Sequence, residues 1–108
     1  MLYELREYVA VPGRLPALID RFNELTIPLF AKHGMELVQI GRTAIGEHSF
    51  GELVYTLRFD DVADMDAKWT TFIQDPEWVD GERVSEADGP LIQTLRRRLL
   101  DPGPFAHS

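Results

Sequence analysis

An apolar periodicity of three and four residues is the strongest pattern in this 108-residue sequence. It predicts an amphipathic helix of about five turns. Pro28 lies inside this helix and should kink it, because proline lacks an N–H and crowds the carbonyl four residues earlier. Gly34 is expected to end the helix in the left-handed conformation. The positions that form the stripe are Leu15, Leu18, Ile19, Phe22, Leu25, Leu29, Phe30 and His33.

Residues 3–11, 35–45 and 52–60 alternate between the two faces of a strand, and each is predicted to form one. The second and third are joined by residues 46–51, which begin and end with glycine and predict a hairpin loop. In the first strand, we expect Tyr3 and Leu5 to face the helices. The opposite face would then carry Leu2, Tyr8 and Ala10, with Val54 from the third strand.

The second half of the chain contains two helix starts. Asp60 or Asp61 can cap a helix with a buried stripe, and Asp75-Pro76 can start a second, short helix that carries Trp78. Residues 91–100 fit both a helix and a strand. Because the preceding elements read β-α-β-β-α, we predict a strand there, which completes an α+β, ferredoxin-like β-α-β-β-α-β sandwich. The stripe of the first of these helices is Val62, Met65, Trp69, Phe72 and Ile73.

Charge and composition exclude several classes of function. The net charge is −7, and residues 60–89 hold ten acids against Lys68 and Arg83, so nucleic acid is not expected as a partner. The chain has no cysteine, which excludes disulfides and thiolate metal sites and suits a cytoplasmic location. No apolar run approaches the ~20 residues of a membrane span. We therefore expect a soluble protein that binds neither nucleic acid nor membrane.

Catalytic and metal-binding motifs are absent from the sequence. His33, His48 and His107 do not have the spacing of metal ligands, and no serine lies in a nucleophile elbow. We therefore predict no metal site and assign no catalytic residue. His33 is expected either to face solvent at the C-terminal end of the helix, where the helix dipole stabilises its cation, or to face the core.

Aromatic residues indicate a ligand site between the sheet and the helices. Tyr3 and Tyr55 lie on the strand faces expected to meet the helices, and their hydroxyls need polar partners there. His33 and Trp78 would approach the same layer from the helices. We predict a pocket bounded by Tyr3, His33, Tyr55 and Trp78. Core packing without a cavity is the alternative.

Three short motifs resemble the NIPSNAP family. They are Tyr3-Glu4-Leu5-Arg6-Glu7-Tyr8 with the later His33-Gly34-Met35, then Asp75-Pro76-Glu77-Trp78, then the C-terminal Leu99-Leu100-Asp101-Pro102-Gly103-Pro104-Phe105. The resemblance covers nearly the whole chain and implies one domain over residues 1–108. It also implies the fold of the dimeric α/β-barrel superfamily, in which two protomers join their sheets into a barrel. That superfamily includes cofactor-free monooxygenases, isomerases, haem enzymes and proteins without known activity, so it does not assign chemistry.

The favoured function is the binding of a small apolar or aromatic ligand, without a cofactor, by a protein that forms a homodimer. A homodimer is also expected because the second strand is apolar on both faces, so its sheet needs a second cover. The alternative is a cofactor-independent monooxygenase or isomerase with His33 or Tyr55 as the proton-handling group. Haem binding through a histidine and a dimer with a filled core are further hypotheses. A cavity between sheet and helices would favour the ligand-binding function.

Overall fold

The computed structural model describes residues 1–106 and has a four-stranded antiparallel sheet covered on one face by helices. The strand order is β2-β3-β1-β4, so the α+β fold and the β-α-β-β-α-β order are confirmed. Within residues 1–106, no helix is long and apolar enough to cross a membrane. The strands are β1 (Leu2–Ala10), β2 (Glu36–Arg42), β3 (Glu52–Phe59) and β4 (Ile92–Leu100).

The first helical region is interrupted by a π-helical segment. Helix α1 (Leu15–Arg21) leads into the segment Phe22–Thr26, which leads into α2 (Ile27–Lys32). The Ile27 N–H bonds to the Phe22 carbonyl, five residues back. This wider turn accommodates Pro28, which has no N–H to donate and needs room for its ring. Gly34 ends the region with φ +68°, as expected.

The second helical region contains α3 (Val62–Gln74) and α4 (Pro76–Ser85). Asp61 caps α3 by accepting from the Asp64 N–H at 2.8 Å. Asp75 caps α4 by accepting from the Glu77 N–H at 2.9 Å. The segment predicted to be the fourth strand is β4, which pairs with β1 at the edge of the sheet. Both caps and the fourth strand agree with the sequence prediction.

The orientation predicted for β1 is wrong. Glu4, Tyr8 and Ala10 are buried against the helices, so Tyr3 and Leu5 lie on the opposite, open face. The prediction failed because the inner face includes Glu4 and Arg6, whose charges are paired inside the core with partners from other elements that local pattern does not reveal. Val54 lies on the open face, as expected, because Leu53 and Tyr55 on either side of it are buried.

The core lies between the inner face of the sheet and the helices. Strand β2 ends at Arg42, earlier than expected, and Ile45 is exposed in the loop that follows. Leu91 is fully buried just before β4. The largest buried side chains are Tyr55, Phe30, Phe72, Leu18, Leu57, Leu91 and Glu4.

Candidate functional site

A cleft of about 380 Å³ lies between the inner face of the sheet and the two helical regions. Its size is within the range of small-molecule sites. Strands β1, β3 and β4 form its floor, while the π-helical segment, α3 and α4 form its walls. The aromatic residues that line it are Tyr8, Phe22, Tyr55, Trp69, Phe72 and Trp78, and the arginines are Arg6, Arg21 and Arg97.

Two tyrosine hydroxyls form the polar centre of the cleft. The Tyr8 and Tyr55 oxygens are 2.7 Å apart, and Arg6 Nε donates to the Tyr8 oxygen at 3.0 Å. The two hydroxyls have two protons between them, and their mutual hydrogen bond uses one. No acceptor for the second proton lies within residues 1–106. The pair can therefore donate one hydrogen bond to a ligand in the cleft.

Burial keeps the Tyr55 hydroxyl protonated. Burial, together with the neighbouring Tyr8, raises the pKa of Tyr55 well above its ordinary value. Burial alone would lower the pKa of Arg6, but Tyr55, Tyr8 and Glu4 outweigh it, and the pKa of Arg6 is raised. At neutral pH the site therefore holds a phenol and a guanidinium cation. Both of these groups donate hydrogen bonds.

Glu4 holds the polar centre in place through its hydrogen bonds. Its carboxylate is fully buried and accepts from Arg6 Nη1 at 3.1 Å, from Trp69 Nε1 at 2.6 Å and from Arg97 Nε. The Arg6 guanidinium lies 4.5 Å from the centroid of the Trp69 ring, which is within cation–π distance. Glu4 thus fixes two arginines and a tryptophan that line the cleft.

Two polar atoms next to the cleft lack partners. Arg21 and Thr26 line it and are 5% and 3% exposed, respectively. Neither Arg21 Nε nor Thr26 Oγ1 has a hydrogen-bond partner within residues 1–106. Buried polar groups are nearly always satisfied in folded proteins, so unpartnered ones beside a cleft indicate a place for a polar ligand group or water.

The structure brings two of the four predicted site residues together. Tyr55 and Trp78 both line the cleft. Tyr3 does not, because it lies on the open face beside Arg58, its partner across β1 and β3. His33 also lies outside the cleft. The predicted pocket is therefore corrected at two positions, because Tyr3 and His33 do not line the cleft.

His33 connects the two helical regions. Its Nε2 is 2.7 Å from Asp75 Oδ2, and its Nδ1 is 3.2 Å from Thr71 Oγ1. Lys32 Nζ also binds Asp75 Oδ2, at 2.8 Å. The hydrogen bonds from Lys32, from the Glu77 N–H and from His33 lower the pKa of Asp75 to about 2. The Asp-Pro-Glu-Trp motif thus holds α4, and Trp78 on it, against the end of α2.

The two histidines within residues 1–106 do not fit a haem or metal site. Both ring nitrogens of His33 are engaged by Asp75 and Thr71, so neither is free as a ligand. His48 lies in the loop after β2, 3.6 Å from Glu47 and away from the cleft. Residues 1–106 contain no cluster of three or more metal-ligating side chains. His107 lies outside the described residues.

Sequence reasoning missed the polar centre. Three of its residues occupy alternate positions on β1, namely Glu4, Arg6 and Tyr8. Side chains at alternate positions of a strand share a face, and this was the one feature of the sequence that indicated their proximity. The sequence prediction places this face away from the helices, where a second copy of the chain would cover it. Arg21 was also missed, since a charged residue at the end of an amphipathic helix normally faces solvent.

Comparison with known proteins identifies the family. The sequence profile of NIPSNAP matches residues 3–107. The chain belongs to the NIPSNAP family. No curated protein matches its sequence significantly. The short motifs noted above all lie within the matched residues, and Asp75 and Trp78 in them have the structural roles just described.

Solved NIPSNAP structures have the same fold. A NIPSNAP family protein with unknown function from Agrobacterium tumefaciens is 25% identical, with a TM-score of 0.82 over 98% of this chain and 91% of that one. An uncharacterized NIPSNAP domain protein from Burkholderia xenovorans is 18% identical, with a TM-score of 0.84 over 100% of both chains. An antibiotic biosynthesis monooxygenase is 13% identical, with a TM-score of 0.63 over 96% and 100%. That last similarity concerns the fold alone.

Proposed function

We propose that this NIPSNAP protein binds a flat, largely apolar small molecule that carries an oxygen acceptor. The observation that carries the proposal is the leftover hydroxyl proton of the Tyr8–Tyr55 pair, which lies in a cleft with aromatic walls. A carbonyl or similar oxygen would accept this proton, while the rings of Trp69, Phe72 and Trp78 would contact the apolar body of the ligand.

Prodan is a suitable probe, because it is a neutral naphthalene with a carbonyl oxygen and its fluorescence shifts to the blue in apolar surroundings. We expect saturable binding to the wild type. Leu95→Trp should weaken it about tenfold, equivalent to ~1.4 kcal/mol, because Leu95 lines the cleft. Leu99→Trp is the matched control, since Leu99 lies on the same face of β4 with 42% exposure against 45% for Leu95 but does not line the cleft.

Phenylalanine variants test the hydrogen bond itself. Tyr8→Phe and Tyr55→Phe each leave one hydroxyl proton free, so each should keep prodan affinity within about threefold. The double variant has no hydroxyl proton and should bind about tenfold more weakly. The proposal is wrong if the wild type does not bind prodan, if Leu95→Trp and Leu99→Trp bind alike, or if the double variant binds like the wild type.

The oxygenase or isomerase alternative receives less support from the site. Such chemistry needs a group that accepts a proton, and the two candidates were His33 and Tyr55. His33 lies outside the cleft and is bound to Asp75. The raised pKa of Tyr55 makes it a hydrogen-bond donor at neutral pH rather than a base. Ligand binding is therefore the function that the geometry supports best.

We also propose that the protein acts as a homodimer through the open face of its sheet. That face carries the apolar side chains of Tyr3, Leu5 and Val54, and no helix covers it. On the outer strands, Leu100 pairs with Tyr3 and is exposed, and Val38 of β2 is exposed as well. A second copy of the chain would cover such a surface with a self-complementary one. The cytoplasmic location stays a prediction from the sequence.

A further inference from the structure

We propose that the ligand of the cleft is an aromatic acid whose carboxylate binds Arg21. This inference rests on the proposed ligand-binding function and adds the chemical class of the ligand. Arg21 belongs neither to the residues predicted from the sequence nor to the motifs that identify the family.

The Arg21 guanidinium has more donors than acceptors. It is the last residue of α1, nearly fully buried, and donates only from Nη1, to Ser85 Oγ at 3.3 Å and Glu86 Oε1 at 3.4 Å. Both bonds are long, and Nε has no hydrogen-bond partner within residues 1–106. A buried cation is costly unless it is paired and hydrogen-bonded, so this group favours a ligand with acceptor oxygens. A carboxylate can accept two parallel bonds from a guanidinium.

The charge inside the cleft favours an anion. Arg6 and Arg97 share the single buried carboxylate of Glu4, while Arg21 has only the distant and partly exposed Glu86. Asp66 and Glu82 line the cleft from α3 and α4, but Asp66 is exposed and Glu82 is partly exposed, so water screens their charges. Arg21 is thus a buried cation beside the cleft that no buried carboxylate within residues 1–106 neutralises, although the whole chain carries a net charge of −7.

The aromatic wall fixes the orientation of such a ligand. Arg21 lies 5.6 Å from the centroid of Trp78, whose ring is 4.9 Å from Phe72, and Phe72 is 5.2 Å from Trp69. Trp69 lies beside Arg6 at the tyrosine end. An aromatic ring system against this wall would place its carboxylate at Arg21. A second oxygen at the far end of the ligand would reach the hydroxyls of the tyrosine pair.

The test compares 2-naphthoate with 2-naphthamide, which have nearly the same shape but differ in charge. We expect calorimetry to give the wild type about tenfold higher affinity for the acid, equivalent to ~1.4 kcal/mol, because hydrogen bonds between charged partners are stronger than neutral ones. Arg21→Met should abolish this preference while leaving the affinity for the amide within about threefold. Methionine is unbranched like arginine and can pack beside Trp78, and the carboxylate left without a partner, Glu86, is partly exposed and stays solvated.

Two further variants make the result specific to Arg21. Arg83→Met removes an exposed arginine from α4 and should leave the preference for the acid unchanged. Arg21→Lys keeps the charge without the forked geometry and should retain part of the preference. Thermal unfolding of each variant establishes that it is folded, and Arg21→Lys supplies the test if Arg21→Met does not fold.

The outcomes separate this inference from the proposed function. Equal binding of acid and amide by the wild type, or a preference that survives Arg21→Met, overturns the assignment of Arg21 while ligand binding stands. Failure of both naphthalenes and of prodan overturns ligand binding and this inference together. Binding of prodan without binding of either naphthalene overturns this inference alone.

Discussion

Glu4 is a fully buried carboxylate on a strand whose even-numbered positions the sequence predicts to lie away from the helices. It is satisfied by three donors, from Arg6, Trp69 and Arg97, which come from three different elements. Desolvating a carboxylate costs several kcal/mol, and only this complete set of partners offsets the cost. Removing its charge would leave Arg6 buried without a counterion, so the stability of the core depends on this one side chain.

Glu4→Gln should therefore destabilise the fold by about 3 kcal/mol, since breaking a buried ion pair leaves an uncompensated charge. Urea unfolding at one protein concentration measures this change. Glu77→Gln is the control, because Glu77 forms an exposed pair with Lys32 at 3.0 Å, and such pairs contribute little. Equal, small effects of the two substitutions would mean that the Glu4 network does not stabilise the protein.

The sequence predicts the correct face of the sheet for apolar residues in a regular alternating pattern, but it does not predict that charged residues are buried. Tyr55 was placed correctly because Leu53, Tyr55 and Leu57 are apolar at alternate positions, and all three are buried. Tyr3 was misplaced because a strand with charges on one face and apolar groups on the other normally buries the apolar ones. Here the charges neutralise each other inside, which depends on partners from α3 and β4 that local pattern does not reveal.

At the scale of elements, Asp75 joins the two helical regions that wall the cleft. It caps α4 through the Glu77 N–H and binds His33 and Lys32 at the end of α2. The cap could be predicted from Asp75-Pro76, but the contact with His33 could not, because the two residues are 42 positions apart. The π-helical segment was also beyond prediction, since Pro28 indicates a distortion without specifying its form.

Asp75 should make stability depend on acid pH. Its folded pKa is about 2, below the value of ~3.9 expected in the unfolded chain, so the carboxylate stabilises the fold above pH ~4. This contribution is lost as pH falls through the folded pKa. Melting temperatures should be measured between pH 5 and pH 2. At pH 5 the melting temperature of Asp75→Asn should be lower than that of the wild type, and this difference should narrow towards pH 2.

The control for this experiment is Asp80→Asn, which removes an exposed carboxylate from α4 at a loose 3.8 Å contact with Arg83. Its melting curve should follow that of the wild type across the same range. A difference between Asp75→Asn and the wild type that stays constant down to pH 2 would contradict the role of the Asp75 charge.

At the scale of the whole molecule, the chain is flatter than a compact domain of its size. Its extents are 44 × 36 × 18 Å, and its radius of gyration of 14.5 Å exceeds the ~13 Å expected for about 100 residues. The flatness follows from a single helical layer on a single sheet. The sequence argument for a dimer assigned the wrong β1 residues to the outer face, but three of the β1 residues that do lie there, Tyr3, Leu5 and Val9, are apolar too. The fourth, Glu7, is paired with Arg98.

A homodimer should therefore give a mass of about 25 kDa in light scattering at micromolar concentration, twice the chain mass of 12.3 kDa. Val54→Lys places a charge in the middle of the open face, where burying an unpaired ammonium is costly, and should shift the mass towards that of one chain. Val84→Lys is the control, because Val84 is an exposed valine on α4, away from that face. Its mass should stay at that of the dimer. A wild-type mass of 12.3 kDa would contradict the dimer, and a dimer that persists in Val54→Lys would mean that the chains associate through another surface.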